Sequence, residues 1–136
     1  MIFSKKSNDK NTDLIKVAAL LIHAAKIDEN YSDQEEKIIN KTLLELGAKR
    51  ENLENIMINA KKIEDNANQI LDFTREIKNM NQENKIKIIE SLWQIIYSNQ
   101  EADIYETGLM RRLAGLLYID NKTMGDIKER IKKENK

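Results

Sequence analysis

The chain has 136 residues, with 23 Lys+Arg against 23 Asp+Glu and neither Cys nor Pro. That length suits one domain, and the charge balance argues against a chain whose main task is to neutralise nucleic-acid phosphate or an anionic membrane. The lack of Cys excludes disulfides, thiol catalysis and thiolate metal sites, and four Gly with no Pro leave few helix breakers, so composition favours an all-α fold.

In chain order, residues 1–11 carry Ile2 and Phe3 and then turn polar and charged. They read as a flexible N-terminal tail, with a helical domain over 12–136 and a frayed end from Lys132. The opening residues lack the apolar run of a secretory signal, and no window holds eighteen uninterrupted apolar residues, so a cytoplasmic location is expected. The first helical stripe is Leu14, Val17, Ala18, Leu21, Ala24 and Ala25, and the second is Ile38, Thr42, Leu43 and Leu46. Ile56, Ala60 and Ile63 form the third, and Ile70, Phe73, Thr74 and Ile77 the fourth. Ile86, Ile89, Leu92, Trp93 and Ile96 make the fifth, Leu109, Met110, Leu113, Leu116 and Leu117 the sixth, and Ile127 with Ile131 the seventh. Each is separated from the next by a stretch rich in Asn, Asp or Gly, as helix ends are.

The chain also matches itself at an offset of 71 residues. Leu21 falls on Leu92, Ala25 on Ile96, Asp28 on Asn99, Glu35 on Glu106, Ile39 on Met110, Leu46 on Leu117 and Ile56 on Ile127. Helices one to three and five to seven therefore read as two copies of a helix-loop-helix unit joined by the fourth helix and packed about a pseudo-twofold axis.

Each copy has a polar loop leading into a helix. Ser32 with Glu35, and Asp103 with Glu106, have capping-box spacing, worth on the order of 1 kcal/mol per cap. Capping does not account for Asp28, an acid at the negative end of the first helix, where a nearby cation would offset the macrodipole. Asp28, Asn30 and Ser32 place oxygens at the one-three-five spacing that begins an EF-hand loop, and Asn99, Glu101 and Asp103 repeat it. Asp33 stands where that loop needs Gly, and Ile39 where it needs a bidentate Glu, so this is no EF-hand. Glu35 or Glu36 from the following helix would have to complete a site for a hard divalent cation, calcium or magnesium before zinc.

With these loops in place, Ala18–Asp28 running into Ser32–Glu36, and Leu92–Tyr97 running through Tyr105 and Glu106 to Leu117, resemble the TerB family. These are tellurite-resistance TerB-like domains, also found at the amino-terminal side of DjlA-type co-chaperones. The family pattern is an Ala-Asp-Gly loop with a Glu seven residues after the Asp, occurring twice. Asp28, Glu35 and Glu106 match it, whereas Asp28-Glu29 and Asn99-Gln100 replace the two Asp-Gly pairs. The resemblance implies an all-helical fold, divalent-ion binding carried by Asp28 and Glu35 more than by Asn99 and Glu106, protein partners, and a stress-linked complex peripheral to the inner membrane.

The remaining candidates have plainer readings. His23, the only His, is expected to be a partly buried residue with a satisfied nitrogen. No Gly-rich phosphate loop, HExxH pair or nucleophile elbow is present, so the chain is expected not to be an enzyme. The alternative is a metal-dependent enzyme using the same acidic loop, with Glu35 and Glu106 as a carboxylate pair. Arg111, Arg112, Lys132, Lys133 and the basic bias of residues 122–136 offer contacts to phosphate, but the interspersed Asp126, Glu129 and Glu134 read as a solvated helix face, so nucleic acid is not expected as a partner. Trp93, Tyr97, Tyr105 and Phe73 lie at or beside core spacing and read as packing.

Overall fold

The structure is a computed structural model that describes residues 2–26, 32–66, 71–98 and 104–134. Of residues 2–12, 71 and 104–107 only the backbone is described. The described residues form seven helices: α1 (Ile2–Ala25), α2 (Asp33–Glu45), α3 (Arg50–Asn66), α4 (Leu71–Ile77), α5 (Gln82–Tyr97), α6 (Ile104–Leu116) and α7 (Asn121–Glu134). The fold is all-α, and each helix carries one of the apolar stripes of the sequence.

Two helices organise the core because they are apolar on nearly every side. In α1, Leu14, Val17, Ala18, Ala19, Leu20, Leu21, Ile22, Ala24 and Ala25 are all buried, which requires neighbours all round, and α2, α3, α4 and α5 supply them. In α5, Ile88, Ile89, Leu92, Trp93, Ile95 and Ile96 are buried, with α1, α2 and α7 against them. Burial of each such side chain stabilises the fold by roughly 1.5–3 kcal/mol against exposure. The outer helices α3 and α7 are amphipathic, burying Ile56, Met57 and Ala60 and Met124, Ile127 and Ile131 respectively. Small residues on α1, Ala18 and Ala24 among them, let the surrounding helices approach its axis.

Helix ends follow local chemistry. The Asn81 side chain accepts from the Asn84 amide at 2.8 Å before α5, and Asp120 accepts from the Thr123 amide at 3.0 Å before α7. After α2, Gly47 takes φ 106°, the Ala48 amide donates to Leu43 O and the Gly47 amide to Leu44 O, which is a Schellman ending. After α6, Tyr118 takes φ 59°, with the Ile119 amide donating to Ala114 O and the Tyr118 amide to Gly115 O.

At both ends the described backbone is helical. Helix α1 begins at Ile2, so the backbone of residues 2–11, read as a tail, is helical, and α7 continues past Lys132 to Glu134. Once the buried part of a helix has formed, each added residue gains a hydrogen bond without a new nucleation cost, and no Gly or Pro stands in residues 2–13 to stop it. Polarity alone is a poor marker of a helix boundary in such a stretch.

Candidate acidic-loop site

Ser32 is the residue from which α2 starts. Its extended backbone (φ −107°, ψ 164°) ends the loop, and its hydroxyl accepts from the Glu35 amide at 3.2 Å. In return Glu35 Oε1 accepts from the Ser32 amide at 2.9 Å and from the Ser32 hydroxyl at 3.0 Å. The capping box read from the sequence is therefore complete. What the spacing did not reveal is that Glu35 is entirely buried, 0 % exposed, on the same face of α2 as Ile39, Thr42 and Leu43. Asp33 and Gln34 beside it are exposed. Glu36 faces α3, where its carboxylate lies 3.6 Å from the Lys61 ammonium.

Asp28 and Asn30 of the first loop, and Asn99, Glu101 and Asp103 of the second, lie outside the described residues. So does the side chain of Glu106, whose backbone belongs to α6. Of the proposed oxygen set the structure thus describes Ser32, Glu35 and Glu36, and brings Ser32 and Glu35 together while Glu36 turns to Lys61.

Beside the point where α1 leads into the first loop there is a cluster the sequence reading missed. The Lys26 ammonium donates to Glu64 at 2.7 Å and to Asp65 at 3.0 Å, and His23 Nδ1 lies 3.4 Å from the other Glu64 oxygen. Glu64 is largely buried, and the hydrogen bonds to Glu64 and then Asp65 hold the Lys26 amine above the ordinary lysine range. His23 is half-buried, tilted against Phe73 with ring centroids 6.0 Å apart. Its nitrogen has a partner, as the plain reading of a lone His expects. One signal was available: Glu64 and Asp65 are acids at a helix C-terminus, opposed by its dipole, and such a pair asks for a cation close by. Lys26 is that cation.

A family model described as tellurite resistance protein TerB matches residues 14–129, from Leu14 within α1 well into α7. The chain belongs to the TerB family. The match spans both acidic loops and all the helices that frame them, which places Ser32, Glu35 and Glu36 inside a TerB domain. Comparisons with curated proteins and with solved structures gave no match. Among the described residues of this TerB domain, no helix is long and apolar enough to cross a membrane.

Proposed function

We propose that this TerB domain is a non-enzymatic interaction module whose first acidic loop takes a divalent cation, calcium or magnesium before zinc, and that the cation orders the loop for a protein partner. Asp28 and Glu35 supply the negative charge, and Asn30 and Ser32 supply neutral oxygens. Glu36 contributes less, since Lys61 already neutralises it. The second loop, with Asn99 in place of an Asp, offers less charge to a hard cation, leaving Glu101, Asp103 and Glu106 as its weaker set.

The observation that carries this reading is the place of Glu35, a carboxylate fixed by burial and by two hydrogen bonds from Ser32 at the point where the first loop enters α2. A hard cation taken up there meets a charged oxygen ligand already in position, so that only the loop has to be ordered on binding. The recurrence of burial and of one pair of helix endings at the 71-residue offset supports reading the chain as a duplicated unit. The family points the same way for context: a stress-linked assembly of proteins, with this chain cytoplasmic and peripheral at the inner membrane.

Thermal unfolding in calcium, magnesium, zinc or EDTA tests the proposal. At a hundredfold excess over Kd a cation bound only to the native state adds about 2.7 kcal/mol, a shift of several degrees. Asp28→Asn and Glu35→Gln are expected to abolish the shift. Equal melting in every metal and in EDTA contradicts the proposal, and metal-dependent turnover of a substrate would favour an enzyme at the same loop.

A further inference from the structure

We propose that a cavity between α5, α6 and α7 binds a small organic carboxylate with a compact apolar body. The cavity has a volume of ≈ 140 Å³ and shares no residue with the acidic loop; Trp93, Met110, Ala114 and Met124 give it an apolar floor, with Arg111 and Lys128 among its polar lining. The Lys128 ammonium lies 5.5 Å from the Trp93 ring centroid, and Trp93 stacks on Tyr97 at 5.9 Å.

Two features point to an anion. The charged side chains that line the cavity, Arg111 and Lys128, are both cations, with Asn121 a neutral polar neighbour. Among the described residues no acidic side chain lines the cavity, and neither Arg111 nor Lys128 forms an ion pair. Two cations around one space are complementary to negative charge, and a planar guanidinium suits a carboxylate held through two oxygens.

Size and floor decide the rest of the ligand. A cavity of about 150 Å³ accommodates a benzene-sized molecule, so the body has roughly six heavy atoms. The thioethers of Met110 and Met124 adapt to aromatic or branched aliphatic shapes alike. Inorganic phosphate would satisfy the cations but leave the apolar floor unfilled.

Trp93 is the chain's one tryptophan, so its intrinsic fluorescence reports on this cavity directly. Titration with benzoate and with isovalerate is expected to give a saturable change with a Kd in the millimolar range or tighter, while benzyl alcohol and inorganic phosphate give none. The double substitution Arg111→Gln/Lys128→Gln is expected to weaken binding at least tenfold. Gly125 is exposed at the edge of the cavity, and a Cβ there would meet nothing within 4 Å. Gly125→Leu is therefore expected to block the cavity without lowering the melting temperature, since leucine is the better helix former. The proposal is overturned by the absence of a saturable carboxylate response, by an equal response to benzyl alcohol, or by a Kd unmoved in the Gln variant.

Discussion

Gly47 and Tyr118, 71 positions apart, are the two described residues with left-handed backbone, and each closes its helix with the same pair of hydrogen bonds. The motif is shared, but its cost is not. Glycine adopts this conformation freely, whereas an L-residue pays roughly 1–2 kcal/mol. Part of that cost at Tyr118 is offset by the Lys85 ammonium, 5.8 Å from the ring centroid, and by the lower backbone freedom of a non-glycine residue in the unfolded chain.

Substitution at the two positions should therefore have unequal effects. Gly47→Ala is expected to destabilise by about 1 kcal/mol or more, because φ 106° lies beyond where alanine rests. Tyr118→Gly is expected to stay within about 0.5 kcal/mol of the parent, relief of strain cancelling against the lost cation–π contact and the added chain entropy. Urea unfolding of both variants measures the difference.

A second prediction concerns the hydroxyls that join α2 to α5. Thr42 and Ser91 hydrogen-bond each other, and each also lies within 2.9 Å of its own helix's carbonyl, Ile38 O and Lys87 O. Two hydroxyl hydrogens serve three contacts, so one back-bond is forgone at any moment. Removing one partner leaves the other free to turn fully to its own helix. Thr42→Val is expected to cost about 1 kcal/mol, and the double variant Thr42→Val/Ser91→Ala less than the sum of the singles, a coupling of about 0.5–1.5 kcal/mol in a double-mutant cycle.

The pH dependence of stability has a defined sign at each end. The hydrogen bonds that Lys26 donates to Glu64 and then Asp65 raise its value, while burial and then the Glu129 charge raise that of the Tyr97 phenol. Both contributions are fully present below the unfolded-state values and are lost as pH rises through the folded ones, so stability falls on the alkaline side. Asp120 is lowered, chiefly by its hydrogen bond to Thr123, so its contribution is present above the ordinary carboxylate range and lost as pH falls through its depressed value. Melting temperature against pH should lose part of its alkaline slope in Lys26→Met and Tyr97→Phe, and part of its acid slope in Asp120→Ala.

Removing Lys26 also tests the cluster beside the loop. Glu64 is largely buried and would keep only its contact with His23. Lys26→Met is expected to cost about 1 kcal/mol near neutral pH, a modest figure because water screens the exposed side of the ammonium. Glu64→Gln with Lys26→Met should recover part of the loss.

Much of the fold was legible because periodicity is a local property. Most described residues of the stripes from Leu14 to Ile131 are buried, with Ile38, Ile63, Ile86, Leu109 and Leu116 partly so, and Asn81, Gly47 and the Ser32–Glu35 pair mark helix ends by chemistry that acts within a few residues. The stripes leave out Leu20, Ile22, Ile88 and Ile95, buried because α1 and α5 are enclosed on nearly every side. Properties that depend on which helices meet were not legible. Nothing near Glu35 in sequence distinguishes a surface cap from a buried one; its burial follows from α2 laying that face against the core. Glu64 likewise acquires His23 and Lys26 only through the packing of α3 on α1. The helical backbone of residues 2–11 escaped notice for the opposite reason, since no apolar stripe signals a helix that extends from an already formed one.

The central claim, a cation held at the first acidic loop, is tested most directly by an anomalous-difference map from crystals grown in manganese(II), a spectroscopic stand-in for magnesium or calcium. The account predicts a peak within coordination distance, about 2–2.6 Å, of carboxylate oxygens of both Asp28 and Glu35. An ordered loop with no peak between those two side chains would contradict it.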